Sequence, residues 1–335
     1  MYWFIRSNNT GLYASTDSTQ HTISFIDGSQ RGFCEIFKFC KTAHKVCSST
    51  LPRIYVAQSD WSLLTVDPYN AYVFDDAFFD RNNESGMLLM VNGEPCHLEP
   101  IIFQSLNLTH HLMEFETQGF TLFENVLSDD EIHEAKQSLD IVDGSTTDDQ
   151  IRRGDLLSRS HVFQSILLKE QVLIMLQIIM GGNNFKCSTW SSNTLMGNNS
   201  NAHKPFIPLW HVDYPYHEIP PPWSNDDSVP PLGVQTLWML DDFTKDNGAT
   251  YVIPKSQTFL RPPTPQNIVD KEQTCIQMLG KKGSVVISHG SWWHSQGVNN
   301  TQHSRTCLLG TFTPRWIKSK DKMESSNEML MHLLN

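Results

Sequence analysis

Fourteen histidines are spread along this 335-residue chain, and one short stretch places a histidine where metal chemistry becomes possible. In LWHVDYPYH, residues 209–217, His211 and Asp213 stand two apart. Residues so spaced in an extended segment project from the same face, so an imidazole nitrogen and a carboxylate oxygen can reach one ion. Two protein ligands make a poor site, and a third has to come from elsewhere. The segment GSVVISHGSWWHSQGVNNTQHSRTCLLGTF offers His289, His294 and His303. Two histidines and one carboxylate on one face leave three coordination positions open, a set that suits non-haem iron(II) and oxygen chemistry. Zinc enzymes use the same kind of His₂-carboxylate set for hydrolysis. An H-x-D pair alone is a weak signal, since a surface His and Asp satisfied by water gives the same letters.

These residues need a scaffold, and the hydropathy pattern outlines one. From residue 185 onward short strand-like pieces follow one another: FKCSTWSSNTLM, VQTLWMLDD, ATYVIP, CIQMLG, GSVVIS and RTCLLGTFTP. A helical lead-in precedes them. A short helix within LTHHLMEFETQ and a strand in GFTLFENV lead to Ser128-Asp129-Asp130-Glu131, an N-cap signal opening an amphipathic helix. The apolar spacing of Phe163, Ile166, Leu167 and Ile174 predicts a second helix over roughly 163–180, ended by Gly181-Gly182. Helices followed by many short strands point to a mainly β fold, a sandwich or jelly roll with flanking helices. Trp238 is open between lining a pocket and filling the core. The proline-rich loop 215–233 cannot pair inside a sheet and is a candidate lid. Before residue 107 the pieces HTISFI (21–26), RIYVAQ (53–58), AYVF (71–74) and GMLLMVNG (86–93) read as strands. The expected division is therefore 1–106, a β-rich or mixed extension without legible chemistry, and 107–335, the domain carrying the site.

Composition narrows the function classes. With 25 basic against 36 acidic residues the net charge is −11, and duplex nucleic acid needs a basic face that nothing here supplies. No nucleic-acid partner is expected. The longest apolar run, VLIML at 172–176, is far short of a membrane span, and MYWFIRSNNT lacks the features of a secretory signal. No membrane association and a cytoplasmic location are expected. The seven cysteines, at 34, 40, 47, 96, 187, 275 and 307, form no CxxC pair and read as reduced, structural thiols.

Four segments in a fixed order carry a resemblance: FETQGFTLFENVLSDDEI, WHVD (210–213), LDDFTKDNGATYVIPKSQ (240–257) and GSVVISHGSWWHSQGVNNTQHSR (283–305). Over about two-thirds of the chain, residues 107–335, the sequence resembles the phytanoyl-CoA dioxygenase family of iron(II)- and 2-oxoglutarate-dependent oxygenases. That resemblance implies a double-stranded β-helix, the cupin-like jelly roll, and a cofactor set of Fe(II), 2-oxoglutarate and O₂. It makes His294 the distal metal ligand, 81 residues after Asp213, beside His211 and Asp213. It gives Arg305, eleven residues on, the far carboxylate of 2-oxoglutarate, a pairing that suits a guanidinium. The strand TWSSN is similar to one whose side chains contact 2-oxoglutarate, so Asn193 and Thr189 are candidates for that contact. His203, His217, His289 and His303 are expected to be loop or strand-end residues outside the ligand set.

Two departures stand out. The family's P-G-S-H turn is Pro254-Lys255-Ser256-Gln257, and a small hydroxyl residue two positions after the distal histidine is replaced by Gln296. Asp213 is present where halogenating relatives carry a small residue, which favours hydroxylation or another oxidation. The expected activity is oxidation of a small-molecule substrate with release of succinate and CO₂. The alternatives are a zinc hydrolase or isomerase on the same residues, which leaves Arg305 without a role, and a non-catalytic binding protein.

Overall fold

The computed structural model describes the backbone of nine strands within residues 1–107, and residues 108–147, 149–180, 185–198, 202–223, 231–321 and 333–334. Two compact units divide the chain: Met1–Leu108 with Glu170–Asn184, and Thr109–Lys169 with Phe185–Asn335. The first unit holds β1 (Tyr2–Ser7), β2 (Tyr13–Asp17), β3 (Thr22–Ile26), β4 (Phe37–Cys40), β5 (Lys45–Ser48), β6 (Ile54–Ala57), β7 (Ser62–Thr65), β8 (Leu88–Val91) and β9 (Glu94–Pro100). They pair in the order β3-β2-β1-β4-β5-β6-β7-β8-β9, with β9 also paired to β1. HTISFI, RIYVAQ and GMLLMVNG fall on β3, β6 and β8, while AYVF lies outside the described residues.

The second unit opens with helices whose ends are written in the sequence. Helix α1 (Leu108–Gln118) stops at Gly119, which takes φ +88° and returns its N–H to the Phe115 carbonyl at 2.9 Å. That left-handed turn suits glycine, and an added Cβ would also lie 2.4 Å from Gln257 Oε1. Strand β10 (Phe120–Phe123) follows, then α2 (Asp129–Asp140). Ser128 and Glu131 close a reciprocal capping box at its start, and Ile132, Ala135 and Leu139 form its buried stripe.

The apolar spacing over 163–180 predicts one helix; the structure has two. Helix α3 (His161–Leu167) ends at Leu168, whose N–H turns back to Gln164 and Ile166, and α4 (Glu170–Met180) starts after Lys169. Lys169 leaves the helical path to pair with Glu131 at 2.6 Å. The two expected terminating glycines lie outside the described residues. Among the described residues no single helix is long and apolar enough to cross a membrane.

Strands β11 (Ser145–Thr146), β12 (Gln150–Arg153), β13 (Phe185–Leu195), β14 (Val234–Met239), β17 (Val285–His289) and β19 (Arg305–Pro314) join β10 in a seven-stranded sheet, order β10-β17-β14-β19-β13-β12-β11. Strands β15 (Tyr251–Ile253), β16 (Ile276–Gln277) and β18 (Trp293–Ser295) form a smaller sheet, order β16-β15-β18. A bridge between His211 and His294 lays the 209–213 segment along β18. Together the two antiparallel sheets make a jelly-roll core.

Each face of the large sheet has its own character. Trp190 and Trp238, fully buried, meet edge to face at 6.0 Å on the side away from the small sheet. The Trp238 indole N–H is satisfied by Thr236, and Gly310 gives the pair room, with Trp190 atoms 2.6 Å from where its Cβ would be. Trp238 is therefore core and does not line the interior. The opposite face is built in rows by strand register. Thr189, Thr311, Gln235, Ser288 and Phe120 form the first row, and Ser191, Leu309, Leu237, Val286 and Leu122 the second. Asn193, Cys307 and Met239 form the third row, Leu195 and Arg305 the fourth. The third and fourth rows are buried throughout, whereas the first two mix half-buried Thr189, Ser191, Gln235, Leu237 and Leu309 with buried Thr311, Ser288 and Val286. The interior is thus sealed at the Arg305 end and less closely covered at the Thr189 end.

Candidate metal centre and co-substrate pocket

Alternation in two neighbouring segments explains why three ligands converge. Val212 and Trp293 bury themselves, with Trp210 partly, in a cluster with Tyr216, Trp223 and Ile253. Their sequence neighbours His211, Asp213 and His294 are thereby turned to the other side. The backbone bonds His211 N–H to His294 O (3.0 Å) and His294 N–H to His211 O (3.1 Å) clamp the segments together, and Asp213 N–H is held by Gly290 O at 3.0 Å. Ligand atoms of His211, Asp213 and His294 all lie within 4.8 Å of one another, with His294 Nε2 3.4 Å from Asp213 Oδ2. Two adjacent ligands with bonds of about 2.1 Å stand about 3 Å apart, close to that spacing.

The tautomers suit coordination. His211 Nδ1 lies 2.8 Å from the Leu209 carbonyl, which can only accept, so Nδ1 carries the proton and Nε2 keeps its lone pair. His294 Nδ1 faces Trp292 O in the same sense at 3.3 Å. Burial pushes the His294 imidazole down to about 4, which keeps it neutral, the form a metal requires. Trp292 stacks on its ring at 5.2 Å.

At the sealed end, Arg305 is 2% exposed with its guanidinium 4.0 Å over the Phe243 ring. Its polar partners among the described residues are Gly248 O and Cys307 Sγ, and Nε has none. Burial pulls this group below its usual range, yet an arginine stays charged. A buried cation with an orphaned N–H and, among the described residues, no carboxylate in ion-pair contact, Asp241 acting on it only from further off, calls for an anion, and the C5 carboxylate of 2-oxoglutarate fits. Asn193 sits one row away, its Nδ2 2.9 Å from Gln296 Oε1 and its Oδ1 without a partner. Gln296, the departure two residues beyond His294, thus meets Asn193, a contact that the sequence reading did not anticipate.

The other histidines are placed elsewhere. His289 is half-buried, its Nδ1 accepting from Ser291 N–H and facing Ser291 Oγ at 2.7 Å, and desolvation lowers it to about 4. His203 meets Asn300, His217 lies 3.5 Å from Glu218, and His303 is exposed. Thr189 shares the inner face with Asn193, but it bonds Thr311 at 3.0 Å in the first row. Four residues of β13, about 13 Å, separate it from Asn193. The structure brings Asn193 to the Arg305 end and leaves Thr189 at the opposite one. Residues 224–230 of the proposed lid lie outside the described residues.

In the altered turn, Ser256 Oγ accepts the Trp293 N–H at 2.7 Å, so it helps to set the residue before His294. Lys255, where the family has glycine, adopts φ +66°. A left-handed non-glycine residue costs about 1–2 kcal/mol, part of which glycine's chain entropy offsets. Lys255→Gly is therefore expected to raise stability by about 1 kcal/mol, read as a higher urea midpoint at unchanged slope; a lower midpoint would contradict it.

Comparison with known proteins agrees with this geometry. A family model described as phytanoyl-CoA dioxygenase (PhyH) matches residues 115–307, more than half the chain. Among curated proteins, dioxygenase andF of Emericella variicolor is 29% identical over 104 residues, 31% of this chain and 34% of that protein. Dioxygenase sphC of Aspergillus fumigatus is 25% identical over 170 residues, 50% of this chain and 44% of that protein. The matches thus span less than half the length of these relatives. Among solved structures, HygX from Streptomyces hygroscopicus with nickel and 2-oxoglutarate aligns with TM-score 0.52 at 15% identity, covering 66% of this chain and 92% of that one. The epimerase SnoN, in complex with Fe3+, alpha ketoglutarate and nogalamycin RO, aligns with TM-score 0.50 at 14% identity, covering 62% and 83%. These likenesses support the fold, and the family match extends across all three clustered ligands and Arg305: the chain belongs to the phytanoyl-CoA dioxygenase family.

Proposed function

We propose that this protein is an iron(II)- and 2-oxoglutarate-dependent dioxygenase that hydroxylates, or otherwise oxidises, a small-molecule substrate and releases succinate and CO₂. The single observation carrying this reading is the buried guanidinium of Arg305, with no carboxylate in ion-pair contact among the described residues, at the closed end of an interior toward which His211, Asp213 and His294 converge. A zinc hydrolase of a neutral substrate would leave that cation without a role. His211, Asp213 and His294 would hold the iron, Arg305 the C5 carboxylate of 2-oxoglutarate, and Asn193 a neighbouring polar contact. When bound, iron and 2-oxoglutarate supply the oxidising chemistry with O₂. The chain's own part is to fix the tautomers, hold an anion in a dry pocket and leave the other side of the metal to the substrate. Residues 107–335 are assigned as the catalytic domain and 1–106 as an extension. The small-molecule reading draws on neighbours whose structures hold hygromycin B (TM-score 0.51, 16% identity) and nogalamycin RO.

Anaerobic loading with Fe(II) and 2-oxoglutarate should give the weak visible band of the chelate, and admitting O₂ should give succinate. Iron-loaded protein showing neither would overturn the reading, and anaerobic activity with zinc alone would replace it with the hydrolase.

A further inference from the structure

Two contacts locate the ligand set over the large sheet. Gln296, two residues past His294, reaches Asn193 in the third row. Gln235, in the first row, donates from Nε2 to the carbonyl of Tyr214, the residue after Asp213, at 3.2 Å. The ligands therefore stand between these rows, facing Ser191, Leu309 and Leu237. Toward Arg305 the interior is closed and cationic. Toward Thr189 it is half-open, with Lys186 opposite Thr313 in the next row, and that end is left to the substrate.

The hydrogen bonds of that first row run in one direction only. The Tyr214 carbonyl can only accept, so the Gln235 amide must point its NH₂ there and its Oε1 the other way. Oε1 accepts from the Thr311 hydroxyl at 2.7 Å, and Thr311 Oγ1 accepts from the Thr189 hydroxyl at 3.0 Å. Each proton is committed in turn. What remains at the end of the relay is the oxygen of Thr189, able to accept and unable to donate.

We infer that Thr189 is a specificity-determining residue of the substrate subsite. It selects a small amphipathic molecule that presents a hydroxyl or amine N–H to Thr189 and lays an apolar body on Leu237 and Leu309. The inference rests on the iron and 2-oxoglutarate reading for which end is left to the substrate.

The test uses two probes of one shape, cyclohexanol and methoxycyclohexane, the second lacking the donor. Their binding to the full chain is followed by saturation-transfer NMR, which needs no metal. Cyclohexanol is expected to bind about tenfold more tightly, the value of one added hydrogen bond. Thr189→Val should abolish that preference with the 2-oxoglutarate titration unchanged, and Thr189→Ser should retain it. Thr311→Val should weaken the preference by another route: it frees the Thr189 proton and lets the ether bind. Equal binding of the two probes, binding of neither, or a preference that survives Thr189→Val overturns the inference. A missing chelate band with the preference intact would instead count against the dioxygenase reading alone.

Discussion

His294→Ala protein, loaded anaerobically with Fe(II) and desalted, is expected to retain less than about a tenth of the wild-type iron, with succinate formation down at least a thousandfold. Losing a residue that merely orients a metal ligand costs about 10–100-fold, and losing a direct ligand from a set of three costs more. The structure supplies its own control. His289 is also half-buried and also lowered to about 4, and it lies only five positions away. Its Nδ1 is held by Ser291, however, and it is absent from the cluster of ligand atoms. His289→Ala should keep iron within a few-fold of wild type, whatever it costs in packing. Equal iron loss in both variants would mean that His294 acts through folding, and the ligand assignment would fail. Iron content and a melting curve on the same samples decide between these outcomes.

The outcome bears on how much of such a site a sequence can carry. The clustering of His211, Asp213 and His294 has a local signal: one residue lies between His211 and Asp213, and Trp210, Val212 and Trp293 bury the other side of the same segments. Strand-length apolar pieces narrowed the fold to a sandwich or jelly roll, and the family resemblance chose the jelly roll. What was not legible depends on register. Alternation puts Thr189, Ser191 and Asn193 on one face, but only the pairing of β13 with β19 tells which stands near Arg305. Asn193 lies across from Cys307, two residues from Arg305; Thr189 lies across from Thr311, six residues from it. Trp238 failed to declare itself for a related reason. Both faces of this sheet are largely buried, so a period of two divides the residues into sets without saying which set faces the interior. The break between α3 and α4 was hidden because Lys169 is drawn out by Glu131, 38 residues earlier in the chain. Periodicity cannot report so distant an ion pair.

Arg305→Met should weaken 2-oxoglutarate binding by about a hundredfold to a thousandfold while leaving iron binding close to wild type. Truncating one member of a buried charge pair costs about 2–5 kcal/mol, and each 1.4 kcal/mol is tenfold. The second half of the expectation concerns stability. Without co-substrate the wild-type protein keeps a guanidinium 2% exposed, stacked on Phe243 and short of a partner at Nε, which is an expense of folding. Methionine keeps much of the volume and removes the charge, so the variant alone should melt no lower than wild type. With 2-oxoglutarate the order should reverse. A ligand at a hundred times its dissociation constant stabilises by about 2.7 kcal/mol, which wild type should gain and Arg305→Met should not. Arg305→Lys should fail to restore the response, since an ammonium lacks the planar fork that meets a carboxylate on two donors. Melting curves of the three proteins with and without 2-oxoglutarate, in the presence of a redox-inert divalent metal, make the comparison. An unchanged 2-oxoglutarate response in Arg305→Met would show that the co-substrate is held elsewhere. The buried cation would then need another anion, and the assignment of the closed end of the interior to 2-oxoglutarate would have to be given up.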